Sequence, residues 1–136
     1  MKIVINTCYG GFGLSHEAML RYFEIKGIQV WPELDKFNLW TYWTTPPENR
    51  VVYKPHREVS VDECRAYNKA YSEQTEYDQV LNRDDPVLIQ VVEELGLKAS
   101  GEYAKLKIVE IPDDVEWQIE EYDGIEHIAE CHRTWS

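Results

Sequence analysis

KIVINTCYGGFGLSHEAMLRYFEIKGIQVW, residues 2–31, sets the architecture of the chain. Residues 2–7 are rich in β-branched side chains and read as an opening strand. CYGGFG then breaks regular structure with glycine at positions 10, 11 and 13. Ser15 is a good helix N-cap, and Leu14 and Met19 are spaced as a hydrophobic staple around it. The helix runs through HEAMLRYFEIK, with Ala18, Tyr22, Phe23 and Ile25 near one stripe, and Gly27 sits where a C-cap belongs. Ile28 to Trp31 reads as a second strand, ended by Pro32. The order is strand, glycine loop, helix, strand.

The remainder extends this pattern. Trp40, Tyr42 and Trp43 cluster before the turn Thr44-Thr45-Pro46-Pro47. RVVYKPHREV, residues 50–59, reads as an edge strand, because Pro55 cannot donate to a ladder. Ser60 with Glu63 is a capping-box signature and predicts a helix from Val61 to about Glu76, with Tyr67 and Tyr71 on one face. Asp85-Pro86 opens another helix, cap first and proline next, which Gly96 ends. Residues 103–111 read as a strand. Asp123-Gly124 is a strong hairpin signal between VEWQIEEY and IEHIAECH. A two-residue loop pairs Tyr122 with Ile125 and Ile119 with Ile128, with Trp117 expected on their buried face. The expected fold class is α+β: a β-α-β start with a glycine-rich loop, two middle helices and a C-terminal antiparallel meander or hairpin.

Composition bounds the function. The chain has 136 residues, 43% of them hydrophobic and 12% aromatic, which suits one domain over residues 1–136 and is too rich in aromatics for a disordered chain. Net charge is −11, which argues against nonspecific binding to nucleic acid or to an anionic membrane. No apolar run approaches the ~20 residues of a membrane span, and the start lacks the apolar region of a signal peptide. Cys8, Cys64 and Cys131 are too few and scattered for a disulfide framework, which fits a reducing cytoplasm.

Several residue groups could carry chemistry. A glycine-rich turn before a helix offers free amides and the positive helix end to an anion, although CYGGFGLS matches neither a P-loop nor G-x-G-x-x-G. The competing reading is simply a tight turn. Cys8 lacks the downstream arginine of a phosphatase loop and reads as a buried, inert thiol. On a strand, His127 and Cys131 lie about 13 Å apart at 3.3 Å per residue, too far for one metal ion. From Glu110 to Glu130 there are nine acids and no Lys or Arg; the simplest reading is a solvated sheet face, with Glu121 opposite Glu126 mildly repulsive. Cations are scarce. Arg50, Lys54 and Arg57 form one island with His56, and Arg133 forms another beside His132 and Trp135. The competing reading for both islands is ordinary surface ion pairing. The Trp40–Trp43 cluster reads as core or interface rather than a ligand cage.

Glycine-loop amides, arginines and spare aromatics together suit a ligand with phosphates and bases, since phosphates take N–H groups and guanidinium forks and bases stack on rings. The candidate ligand-binding residues are Gly10, Gly11 and Gly13 with Ser15 at the helix start, Tyr9 and Phe12 as stacking faces, and Arg57, Arg133 and Trp135 at the islands. No catalytic residue, metal or cofactor is assigned, and the pattern fits binding better than turnover.

INTCYGGFGLS near the start and LKIVEIPDDVEWQIEEYDGIEHIAECHRTW at the end resemble a widespread group of small phage proteins. That group is identified here with the anti-CBASS sponge proteins, which sequester cyclic oligonucleotide immune signals without cleaving them. The resemblance covers about a third of the chain and does not extend to residues 32–82. It implies a homo-oligomer, with a tetramer as the expectation. That assembly would hold a cyclic dinucleotide such as 3′3′-cGAMP at shared pockets in the cytoplasm of an infected host. Two alternatives stand beside it: an acidic inhibitor that caps a basic host protein, and a small nucleotide hydrolase.

Overall fold

The computed structural model describes residues 1–52, 60–77 and 81–131. Its fold is α+β; the described residues hold three α-helices and only antiparallel strand pairing. The chain forms two compact units, residues 1–26 with 78–136, and residues 27–77.

In the first unit, β1 (Lys2–Asn6) pairs antiparallel with β5 (Leu106–Glu110), Val4 opposite Ile108. Helices α1 (His16–Lys26) and α3 (Pro86–Leu95) pack against each other, and α3 packs on both strands. Ile3, Val4, Met19, Phe23, Leu88 and Val91 are nearly or wholly inaccessible and form the core. Both helices start as their sequences predict. Ser15 Oγ accepts from the Ala18 amide at 3.1 Å, and Asp85 Oδ1 accepts from the Val87 amide at 2.9 Å with Pro86 in the first turn. Strands β6 (Trp117–Tyr122) and β7 (Ile125–Glu130) form the hairpin in the expected register, Ile119 opposite Ile128 and Tyr122 opposite Ile125.

Two details differ from expectation. The C-terminal strands do not form a continuous meander: β5 bonds to β1, and β6 bonds to β7. The hairpin residues also divide between two faces. Strand side chains alternate, so Trp117, Ile119 and Ile128 share one face, while Tyr122, three positions from Ile119, turns away and is 77% exposed.

The second unit holds β2 (Trp31–Leu34), β3 (Trp40–Trp43), α2 (Val61–Gln74) and β4 (Thr75–Glu76), with strand order β2-β3-β4. The second strand therefore starts at Trp31 and runs through Pro32 instead of stopping there. An edge strand has a partner on one side only, so a missing N–H is tolerated. Helix α2 ends two residues early because Thr75 and Glu76 pair with Trp43 and Tyr42. Its Ser60 cap is present, Oγ accepting from the Glu63 amide at 3.1 Å. Trp43 and Tyr42 are buried, and Trp43 meets Tyr71 edge-on at 5.3 Å while Tyr71 stacks on Tyr67 at 5.9 Å. The tryptophan cluster thus contributes to the core of this unit, with Trp40 more exposed at its end. In the expected strand over residues 50–59, Arg50 to Val52 are irregular, and residues 53–59 lie outside the described residues.

Candidate functional site

The glycine loop leaves β1 and enters α1 through a dense set of local bonds. Gly13 O accepts from the Gly101 amide at 2.9 Å, and the Ser15 amide donates to Ala99 O at 2.9 Å. Ser15 Oγ caps α1 and donates onward to Lys98 O at 2.6 Å. Close packing explains part of the glycine content. A Cβ on Gly10 would lie 2.1 Å from Tyr103 O, inside any allowed contact.

The hairpin turn closes on the same loop. Asp123 and Gly124 both have positive φ, 51° and 89°, as a type I′ turn requires. A Cβ on Gly124 would lie 2.4 Å from Tyr9 O and 2.5 Å from the Gly11 nitrogen, so only glycine allows this approach. Beneath it sits Asn6, completely buried. Its Nδ2 donates to Gly124 O at 2.6 Å and to Cys8 O at 2.7 Å. Its Oδ1 accepts from the Cys8 amide at 3.2 Å and the Lys105 amide at 2.9 Å. All four hydrogen-bonding positions of the amide are filled, so one side chain fastens the loop, the hairpin turn and the entry to β5.

A second buried polar group supports the first. Glu126, 7% exposed, receives both prongs of the Arg83 guanidinium and also accepts from the Asn6 amide at 2.8 Å. Arg83 lies over the Phe12 ring, its guanidinium carbon 3.6 Å from the ring centre.

Above this base, Tyr9, Gly10 and Gly11 face Glu121, Asp123 and Gly124 across an open cleft of about 380 Å³. That volume lies within the range of small-molecule sites. The Tyr9 residue is 71% exposed. Glu121 Oε1 accepts from the Gly124 amide at 3.1 Å. Burial lowers the His16 pKa below its usual 6.5, which favours the neutral ring at the start of α1. Among the described residues, the lining has two carboxylates and no cationic side chain. Such a lining repels a phosphate and favours a group rich in N–H donors.

The predicted residues therefore separate. Tyr9, Gly10 and Gly11 line the cleft, Phe12 packs under Arg83, and Gly13 and Ser15 are joined to the 98–101 segment. Arg57, Arg133 and Trp135 lie outside the described residues. Arg50, from the first cationic island, is held at home: it donates to Glu33 at 2.9 Å and to Thr45 O at 3.2 Å, and lies 4.7 Å over the Trp43 ring. Cys8 is half-buried, not fully buried. His127 pairs with Glu120 at 2.9 Å across the hairpin.

The sequence reading missed Asn6, Arg83, Glu126, Glu121 and Asp123. A signal existed for Asn6, a polar residue closing the apolar run KIVIN. None separated Glu126 from the other eight acids between Glu110 and Glu130. Among the described residues, no helix is long and apolar enough to cross a membrane. No family model matches this chain, and neither a curated protein nor a solved structure shows significant similarity to it.

Proposed function

We propose that this protein binds a cyclic dinucleotide without cleaving it and withholds the signal from an effector of the host in whose cytoplasm it acts. The observation that supports this most is the cleft between the glycine loop and the hairpin turn. It presents an exposed tyrosine ring, glycine backbone and two carboxylates on a base held by buried polar bonds. A nucleobase stacks on tyrosine and offers N–H groups to carboxylates. Phosphates of the same ligand need cations, a role the sequence alone suggests for Arg57 and Arg133, which lie outside the described residues. The likeness of the glycine-loop and C-terminal segments to anti-CBASS sponge proteins favours the same reading, as does their placement: both segments contribute walls of one cleft.

The test mixes the protein with a panel of cyclic dinucleotides, removes unbound ligand, heats to denature and assays the supernatant. A sponge returns the intact ligand. Recovery of a linear product would show a hydrolase, and no uptake at all would leave the reading without support in favour of a protein-binding inhibitor.

A further inference from the structure

Resting on that reading, we infer that the hairpin turn recognises a base whose pairing edge carries two adjacent N–H donors, as guanine does, with Asp123 as the specificity-determining residue. Acids are common on a chain of net charge −11. What distinguishes these two is a cavity shared with an exposed aromatic ring, above backbone that Asn6 holds on both sides.

The two carboxylates are not equivalent. Glu121 commits one oxygen to the Gly124 amide at 3.1 Å, which closes the turn on itself. Asp123 is the first residue of the two-residue turn, exposed and on the cleft lining. An ionised carboxylate only accepts, and its two oxygens match two parallel donors. Guanine presents N1–H beside the N2 amino group and satisfies both oxygens. Adenine presents its N6 amino group beside the N1 lone pair, so one contact becomes a repulsion. Tyr9 supplies a stacking face that does not discriminate, because every base has a π-face. Sequence choice therefore falls to the turn, and the ring to general affinity.

The experiment is calorimetric titration of the full chain with cyclic di-GMP and, separately, cyclic di-AMP. The expected result is a preference for cyclic di-GMP of about tenfold or more, the scale of a charge-assisted bidentate contact. Asp123→Asn keeps the shape, and asparagine tolerates positive φ, but it replaces one acceptor with a donor. It should lose roughly 10- to 100-fold for cyclic di-GMP and bind cyclic di-AMP no less tightly than wild type, because the adenine N1 lone pair then meets a donor. Tyr9→Ala should weaken both ligands alike, by about 5- to 100-fold. Equal affinity of the wild-type protein for the two ligands overturns the inference while leaving the sponge reading intact. So does a preference that persists in a folded Asp123→Asn protein. Failure of the wild-type protein to bind either ligand overturns the inference, and failure across the whole cyclic dinucleotide panel overturns the sponge reading as well.

Discussion

Arg83 and Glu126 meet as a two-pronged ion pair, Nη1 to Oε1 at 2.5 Å and Nη2 to Oε2 at 2.8 Å, and together they finish the open edge of β1. On the side of β1 away from β5, the Val4 amide donates to Arg83 O at 2.9 Å, and Val4 O accepts from Arg83 Nη1 at 3.4 Å. The Asn6 amide donates to Glu126 Oε1 at 2.8 Å. A bare strand edge carries unpaired donors and acceptors that invite foreign strands. Here one arginine and one glutamate stand in for a missing strand, and the same pair supports the floor of the cleft.

Breaking that pair should therefore be costly. Arg83→Met leaves the Glu126 carboxylate buried without its counter-ion and should destabilise the protein by roughly 3–5 kcal/mol. Arg83→Met combined with Glu126→Leu removes both charges and should recover part of that loss. Urea denaturation of the three proteins measures the coupling. A single variant as stable as wild type would mean the pair contributes nothing to closing the edge.

Asn6→Ala strips partners from Gly124 O, Cys8 O and two amides at once. With buried unsatisfied groups at about 1–3 kcal/mol each, the expected loss is roughly 3 kcal/mol or more. Asn6→Asp should be no better, since a carboxylate cannot donate to the two carbonyls and would face Glu126. Denaturant midpoints, together with the fluorescence of ligand-free protein, would report the loss. Midpoints unchanged from wild type would contradict the role assigned to Asn6.

Two glycines with positive φ separate strain from collision. At Gly11, φ 91°, an added Cβ meets nothing within 4 Å, so Gly11→Ala bears only backbone strain, about 1–3 kcal/mol. At Gly124 the Cβ would strike Tyr9 O and the Gly11 nitrogen, both backbone atoms that cannot swing aside. Gly124→Ala should lower the melting temperature clearly more than Gly11→Ala. Equal melting temperatures would show that the turn does not sit this close to the loop.

Acid should weaken the first unit through two carboxylates. Burial works to raise the Asp85 pKa. The Tyr22 hydroxyl at 2.7 Å, the Val87 amide and the Lys26 ammonium at 3.2 Å outweigh it, and the group sits below its usual 3.8. The Arg21 fork and Gln90 bring Glu94 from 4.5 down to about 2. A folded pKa below the unfolded one means stability present above the unfolded value and lost as pH falls. Stability should thus decline from about pH 4.5 toward pH 2, and Asp85→Asn and Glu94→Gln should each flatten that slope. Chemical denaturation at stepped pH reads it, and an unaltered slope in both variants would remove these two groups as its cause.

Self-association is the last expectation. The β2–β3 hairpin exposes Leu34, Phe37, Leu39 and Trp40, at 49, 71, 63 and 40%, more apolar surface than one short turn normally leaves in water. Light scattering at micromolar concentration should give a multiple of 16.1 kDa. A monomer mass would end the oligomer proposal, and Phe37→Ser lowering the mass would locate the interface.

Local chemistry was enough to read the starts of the helices and the hairpin from the amino acids. Ser15, Ser60 and Asp85 each accept from an amide two or three residues ahead, and Asp123-Gly124 supplies the two positive φ values its turn needs. These interactions span a few residues, so the sequence carries them whole. The strand partners were decided elsewhere. β1 bonds to β5 across about a hundred residues, and β2, next in order, bonds to β3, because edge pairing depends on where packed helices leave a strand open. The cleft belongs to that second kind. Tyr9 and Asp123 became neighbours only through Asn6, whose amide reaches Gly124 across 118 positions, and Glu126 became a buried anion only because Arg83 arrived from the loop before α3. Nothing in the run of acids around Glu126 distinguishes it, since burial is a property of the packed chain and not of the residue.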